Sequence, residues 1–215
     1  MHVFFDHLLA VVCGGALIVG ALTLQARGSA SAMESAVSDV ARGRAVDVID
    51  ELVQEFDNVM SQEQAAREIG AYRSRLERDG SDERTTLVET PVFVRTSASG
   101  PPVAAHVLYR LVPTGSSVEV GDGSRETFRL TRAVDTGAGY GAGSVVATDL
   151  VDFDVIFRGR ADEVTSGAPP IRFSHVAMAA TVAVSGGLSG AAPEARSNAA
   201  RVGIVVRPPN LSSGS

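Results

Sequence analysis

Histidine and aspartate are the residue types in this sequence that could carry acid–base or metal chemistry. His106 and His175 lie in two different runs that predict strands, and Asp149, Asp152 and Asp154 lie in a third. A histidine beside one of these carboxylates could hold a metal ion or act as a base with its orienting partner. Isolated strand histidines are more often surface or edge residues, so we expect no metal site and no catalytic residue here.

The segment TGAGYGAGS (136–144) has a glycine at every second position from Gly137 to Gly143. A dinucleotide-binding loop needs G-x-G-x-x-G between a strand and a helix, whereas this loop leads into another predicted strand. We therefore interpret it as a hairpin loop. Asp122 and Asp135 lie in turn sequences without the spacing of a calcium loop, and no G-x-S-x-G motif marks a nucleophile. The sequence predicts neither a cofactor nor an enzyme.

The composition removes several further function classes. All 19 basic residues of the 215-residue chain are arginine, so the lysine of a Walker loop or of Schiff-base chemistry is missing. The formal net charge is −6 and no basic run occurs, which argues against a nucleic-acid surface. Cys13 is the only cysteine, so one chain can form neither a disulfide nor a cysteine-based zinc site.

The N-terminal part is strongly apolar. Residues 8–24 carry no charge, and as a helix this run would measure about 26 Å, close to a bilayer core of about 30 Å. We therefore predict that the helix enters the lipid bilayer through residues 3–25. Asp6 lies near the front of this segment, where a charge costs less than at the centre of a bilayer.

Two features leave alternatives open. Ala30-Ser31-Ala32 is a possible signal-peptidase site, so the chain could instead be secreted after cleavage behind Ala32. Arg27, the nearest basic residue, follows the apolar run, and the positive-inside rule weakly favours the orientation opposite to an exported C-terminal domain.

The apolar run continues into an amphipathic pattern without a proline before Pro91. A stripe of apolar residues recurs every three or four positions, which predicts one face of the same helix up to about residue 60. Val48, Leu52 and Phe56 are expected to pack this face onto a sheet. A coiled coil with a second chain is disfavoured by the alanine and glycine residues along the stripe.

From residue 87 the apolar pattern changes to a period of two, which is typical of strands separated by Gly, Ser, Pro and Asp clusters. The predicted fold class is α+β, with a long N-terminal helix packed on a mainly antiparallel sheet. The predicted divisions are a membrane-spanning half-helix (1–26), its amphipathic continuation (27–61), a short helix and loop (62–86), and a β-sheet domain (87–215). Within the third division, the second helix is predicted over 62–77.

The order of these elements resembles the type IV pilin-like superfamily, and most of all its minor pilins and pseudopilins of the PilW and GspJ kind. The stretches that carry the resemblance are FFDHLLAVVCGGALIVGAL, AVDVIDELVQEFDNVM, HVLYRLVP with FRLTRAV, LVDFDVIF with IRFSHVAMAATVAV, and RVGIVVRPPNL. Members of the family usually carry a basic leader that ends in glycine and a glutamate fifth in the mature chain. Here no such leader precedes the apolar run, and the early acid is Asp6.

The resemblance implies a pilin-like fold and a non-catalytic role in a type IV pilus or type II secretion filament. It implies that Asp6 meets the terminal amine of a neighbouring subunit, and that Gly14 and Gly15 lie where family helices can loosen. Other pilin-like subunits and the assembly machinery would be the partners, and the inner membrane the location, with the β domain on the periplasmic side. The alternative is a membrane-anchored or secreted β-rich binding module that does not polymerise.

Overall fold

The computed structural model describes residues 2–80, 84–95, 100–120, 123–159, 163–164, 173–184 and 198–209, with the backbone alone at 2–11, 159, 163–164 and 198. These residues include two helices and eight strands. They are α1 (His2–Phe56), α2 (Gln62–Glu68), β1 (Arg75–Arg78), β2 (Thr85–Val94), β3 (Val103–Val120), β4 (Gly123–Asp135), β5 (Ser144–Gly159), β6 (Glu163–Val164), β7 (Phe173–Val184) and β8 (Asn198–Val206).

The strands form one antiparallel sheet in the order β1-β2-β3-β4-β5-β7-β8, and β6 pairs with β5 outside this path. The sheet curls until the start of β2 reaches β5, although the two strands are not neighbours in the sheet. There the Thr85 hydroxyl accepts a hydrogen bond from the Val155 backbone N–H at 3.0 Å. Arg78 of β1 also forms an ion pair with Asp154 of β5. The curl produces a concave face that receives the helix.

The predicted membrane-spanning first half of α1 (1–26) is wrong, and with it the predicted pilin-like fold. In the part of the chain that the structure describes, neither helix combines the length and the hydropathy needed to span a bilayer. The charge-free stretch whose side chains are described runs from residue 12 to residue 26, about 22 Å of helix against a core of about 30 Å. The prediction depended on residues 3–11, whose side chains lie outside the described part. A single long helix with a curled antiparallel sheet remains compatible with the α+β class.

The C-terminal part of α1 packs in the concave face of the sheet, where it contacts β7 and β8 most extensively and also reaches β2. Its buried residues recur at helical spacing, and the helix therefore contributes one continuous stripe to the core. These residues are Ala41, Ala45, Val48, Ile49, Leu52 and Phe56. The Phe56 ring lies 6.2 Å from the Tyr109 ring of β3 and 6.3 Å from the Phe157 ring of β5, so it joins both sides of the curl.

A buried polar group fixes the same end of the helix. The Glu55 carboxylate accepts hydrogen bonds from Arg132 Nε at 2.8 and 3.1 Å, and it forms an ion pair with the terminal guanidinium nitrogen. The Tyr109 hydroxyl donates to the same carboxylate. Burial, followed by the neighbouring carboxylate, raises the pKa of the Tyr109 phenol well above its ordinary value. The phenol therefore remains a donor at neutral pH, and the group ties α1 to β3 and β4.

The chain leaves α1 through a short pairing with β2. The Met60 N–H donates to the Pro91 carbonyl at 2.9 Å, and the Phe93 N–H donates to the Asn58 carbonyl at 3.0 Å. Ser61 then caps α2 in a reciprocal arrangement with Gln64. The second helix was predicted over 62–77 but ends at Glu68, because the chain turns at Gly70 with φ 77° and enters β1.

Candidate functional site

The first two thirds of α1 project beyond the packed stripe. Between residues 12 and 40, the described side chains are exposed except at Gly14 and Val37, which are half-buried. Six large apolar side chains lie in the front part of this segment, and each exposes 60% or more of its surface. They are Val12, Leu17, Ile18, Val19, Leu22 and Leu24. Such a concentration of exposed apolar surface is typical of a protein–protein or lipid interaction site.

These six side chains surround the helix instead of lining one face. With about 100° of rotation per residue, the other five side chains lie at different angles around the helix axis from Val12. Leu24 lies at about 120°, Leu17 at 140°, Ile18 at 240°, Leu22 at 280° and Val19 at 340°. A single partner helix covers one stripe of such a surface, whereas a helix that is apolar on all sides needs neighbours on all sides. The exposed apolar segment (12–24) therefore offers contacts to several partners at once.

Glycines interrupt this apolar surface. A Cβ added at Gly14, Gly15 or Gly20 would meet nothing within 4 Å in the single chain. No packing contact within the described chain therefore explains these glycines, and each weakens an exposed helix by about 1 kcal/mol relative to alanine. The absence of a side chain does allow another backbone to approach closely. Asp6 lies on the helical backbone of α1 before this segment, but its side chain is outside the described part.

The structure places the other predicted assembly and packing residues on two different parts of α1. Gly14 and Gly15 lie on the exposed apolar segment. Val48, Leu52 and Phe56 are buried, with at most 7% of their surfaces exposed, and they belong to the core cluster formed with the sheet. One helix thus carries both a surface covered by its own sheet and a surface left open.

The histidines and aspartates considered for metal or acid–base chemistry do not form one site in the described part of the chain. Asp149, Asp152 and Asp154 form ion pairs with Arg44, Arg201 and Arg78, respectively. His175 Nδ1 lies 2.7 Å from the hydroxyl of its neighbour Ser174. Within the described ranges, no three His, Cys, Asp or Glu residues are grouped so that they could hold a metal ion.

His106 instead belongs to a polar cluster that sequence reasoning missed. Its ring nitrogens lie 3.1 Å from a terminal guanidinium nitrogen of Arg73 and 3.3 Å from the Arg73 backbone nitrogen. Arg73 also forms ion pairs with Asp135 and, at 3.7 Å, with Glu89. The Tyr140 hydroxyl donates to Glu89 at 2.5 Å. We call these five residues the Arg73 cluster.

The glycine-rich loop is held by this cluster. The Asp135 carboxylate accepts hydrogen bonds from the backbone N–H groups of Gly137 at 2.8 Å and Gly139 at 2.9 Å. Both glycines have positive φ, 115° and 97°, which side-chain-bearing residues rarely adopt. The Arg73 side chain, followed by the Gly137 N–H, lowers the pKa of Asp135 to about 2. The loop thus joins β4 to β5 as a turn anchored on a buried carboxylate.

A comparison with known protein families and with curated proteins finds no match to this chain in either set. Two features stand out among the described residues: the exposed apolar segment of α1 and the Arg73 cluster on the sheet. The side chains of the first feature offer exposed apolar area without groups suited to acid–base chemistry. The second is a set of mutually paired polar groups.

Proposed function

We propose that this chain has the role of a minor pilin or pseudopilin, although its fold is not the predicted pilin-like one: it is a non-catalytic subunit that assembles through its N-terminal helix with the helices of other subunits. The observation that carries the proposal is the exposed apolar segment (12–24), whose six large side chains surround a helix that projects from the sheet domain. In this assembly the sheet domain packs around its own part of α1, and the projecting part enters a bundle of helices contributed by several subunits.

The energetics favour such a bundle. Full burial of a valine, leucine or isoleucine side chain is worth about 1.5–3 kcal/mol relative to exposure. Six of these side chains supply a large gross attraction, which must exceed the cost of bringing subunits together. Because the side chains point in all directions, one partner would leave part of the surface in water. A set of several helices covers it completely, and a filament supplies such a set.

The glycines and the early acid have roles within this proposal. Gly14 and Gly15 would let neighbouring helix backbones approach closely at the level of the apolar side chains. Asp6 would meet the terminal amine of a neighbouring subunit, by the resemblance to pilin-like proteins. Location at the inner membrane, with the sheet domain on its outer side, stays a prediction.

Cysteine crosslinking tests the proposal because Cys13 is exposed within the segment and is the only cysteine. A thiol-specific bifunctional crosslinker should join native chains into covalent dimers through Cys13. The matched control is Cys13→Ser combined with Ser124→Cys, which moves the thiol to an exposed position at the start of β4. We expect crosslinked dimers from the native chain and far fewer from the control.

Electron microscopy of the same samples should show filaments or helical bundles with the sheet domains outside. Equal crosslinking of both variants, at the level expected for random collision, would overturn the proposal. A native chain that stays monomeric but floats with lipid vesicles would also overturn it, since lipid and not other helices would then cover the segment.

A further inference from the structure

The Arg73 cluster lies on the side of the sheet opposite to α1. His106 and Asp135 are directly opposite each other in the β3–β4 pairing, and they share one face with Leu108 of β3. Tyr109 of β3 and Arg132 of β4, which are paired with each other, both contact Glu55 of the helix. They therefore lie on the other face of the sheet, toward α1. Two segments cover the cluster from outside, residues 70–74 and the glycine-rich loop 136–143. Arg73 belongs to the first segment and Tyr140 to the second.

The contacts of His106 require a neutral imidazole. The Arg73 guanidinium has only donors, so the ring Nδ1, 3.1 Å away, must accept. The other ring nitrogen, Nε2, faces the Arg73 backbone N–H at 3.3 Å, so both ring nitrogens face donors of Arg73. Only 1% of the His106 surface is exposed. A proton added at Nδ1 would therefore place two cations in contact in a buried position and remove the hydrogen bond between them.

Arg73 is the member of the cluster that is free to leave. Its side chain is 48% exposed, whereas the Asp135 and Glu89 side chains are 5% and 14% exposed. A guanidinium that turns toward water keeps most of its hydration. Movement of the buried Asp135 carboxylate would instead disrupt the end of β4 and the turn that follows it. The Arg73 guanidinium also lies over the Tyr140 ring, with 5.8 Å between its carbon and the ring centroid, so its departure removes a contact that holds the loop.

We propose that protonation of His106 expels the Arg73 guanidinium from the cluster, and thereby loosens segment 70–74 and loop 136–143 from this face of the sheet. Three charged groups act on the imidazole, Arg73 from the segment, Glu89 from β2 and Asp135 from β4, and Tyr140 of the loop contacts Glu89 and Arg73. The imidazolium can replace Arg73 as the cation beside Asp135, because the two residues are directly opposite each other in the sheet. The strands thus stay paired while segment 70–74 and loop 136–143 loosen.

The direction of the pH effect follows from the state of each group. Burial, and then the charge of Arg73, lower the pKa of His106 below 6.5, while Glu89 and Asp135 act in the opposite direction. The closed arrangement of segment 70–74 and loop 136–143 is therefore fully present above about pH 6.5. It is lost as the pH falls through the pKa of His106 in the folded state. Asp135, with a pKa of about 2, stays ionised throughout. Burial raises the pKa of Tyr140, so its hydroxyl stays a donor.

Hydrogen exchange of the full chain, measured between pH 5 and pH 8 and corrected for intrinsic exchange, tests this switch. We expect peptides over 70–74 and 136–143 to exchange about tenfold faster at pH 5 than at pH 8, with core peptides in β3 and β5 unchanged. His106→Gln, which cannot take up a proton, should remove the difference, and His175→Gln should retain it. Equal exchange at both pH values in the native chain would overturn the proposal.

A second measurement is independent of whether His106→Gln folds. In the native chain, an NMR titration follows the His106 ring together with the amide groups of Gly137 and Gly139. The proposal requires the ring and both amides to change with one midpoint below pH 6.5. Amide signals that stay constant while the ring titrates would contradict it. The inference does not depend on assembly through α1, since both measurements concern the sheet domain alone.

Discussion

The two parts of α1 show how one helix can carry two kinds of apolar surface. Between residues 41 and 56, the buried residues form a single stripe, and Ala41, Ala45 and Leu52 are completely covered by the sheet. Between residues 12 and 24, apolar side chains surround the helix, and Leu17 exposes 74% of its surface. One sheet can cover an apolar stripe along a helix. Apolar side chains on all sides of a helix need several neighbouring elements to cover them. The distribution around the helix, more than the apolar content, separates the packed part from the open part.

Polar contacts reinforce the difference. The packed part ends in the Glu55–Arg132–Tyr109 group, whose carboxylate side chain is only 11% exposed. Nearer the open part, Arg44 and Asp149 lie 3.5 Å apart, but both side chains are about half exposed. Removing one partner of a buried pair leaves the other charge uncompensated and is strongly destabilising, whereas removing a partner from an exposed pair costs little. The helix is therefore held most firmly at its C-terminal end.

Phe56→Ala should produce the largest effect. It removes a side chain that is 1% exposed and contacts aromatic rings from two strands. We expect a loss of about 3–5 kcal/mol in the free energy of unfolding, measured by urea denaturation. If this variant is as stable as the native chain, the packed part does not have the role assigned to it. Val12→Ala is the matched control, since it also truncates an apolar side chain of α1 and should change stability by less than about 0.5 kcal/mol.

Glu55→Ala should cost about 2–3 kcal/mol, because it leaves the mostly buried Arg132 guanidinium without its carboxylate partner. Arg132→Met together with Glu55→Ala should recover part of the loss. A double-mutant cycle in urea denaturation measures this coupling between the two residues. Strict additivity of the two substitutions would show that the pair does not tie the helix to the sheet.

Alkaline pH should weaken the packed part through Tyr109. Because the pKa of its phenol is raised in the folded state, its contribution is fully present below about pH 10 and is lost as the pH rises through the folded-state value. Thermal unfolding between pH 8 and pH 11 should show a steeper fall for the native chain than for Tyr109→Phe. Identical pH profiles of the two proteins would contradict this account of the phenol.

Among the substitutions in the packed part, Arg44→Ala should have the smallest effect. The ion pair with Asp149 is exposed, so its removal should change the free energy of unfolding by less than about 1 kcal/mol. Urea denaturation at low and high salt checks this prediction, since an exposed pair is screened by salt. A loss comparable to that of Glu55→Ala would remove the contrast between the two ends of the packed part.

Local periodicity indicated part of this structure from the sequence. The recurrence of Val48, Leu52 and Phe56 marks the apolar face of a helix, and the period of two marks most strands. The Arg73 cluster could not be found in this way, since Arg73 and Asp135 are 62 residues apart and meet only in the folded sheet. The four-residue strand β1 was missed because RLER is too short and too charged to show a pattern. The membrane-spanning prediction relied on hydropathy, which marks apolar surface but does not identify what covers it.

The central claim is that the exposed apolar segment of α1 binds other helices. Sedimentation velocity of the full chain at several concentrations tests it most directly, with Leu17→Asp/Ile18→Asp/Leu22→Asp as the disrupting variant. Ala26→Asp/Ser29→Asp/Ser31→Asp is the control, because it adds the same charge to an exposed part of the helix beyond the segment. We predict species larger than dimers for the native chain and the control, and a folded monomer for the variant. A native chain that sediments as a monomer at every concentration, or a variant that associates as the native chain does, would contradict the claim.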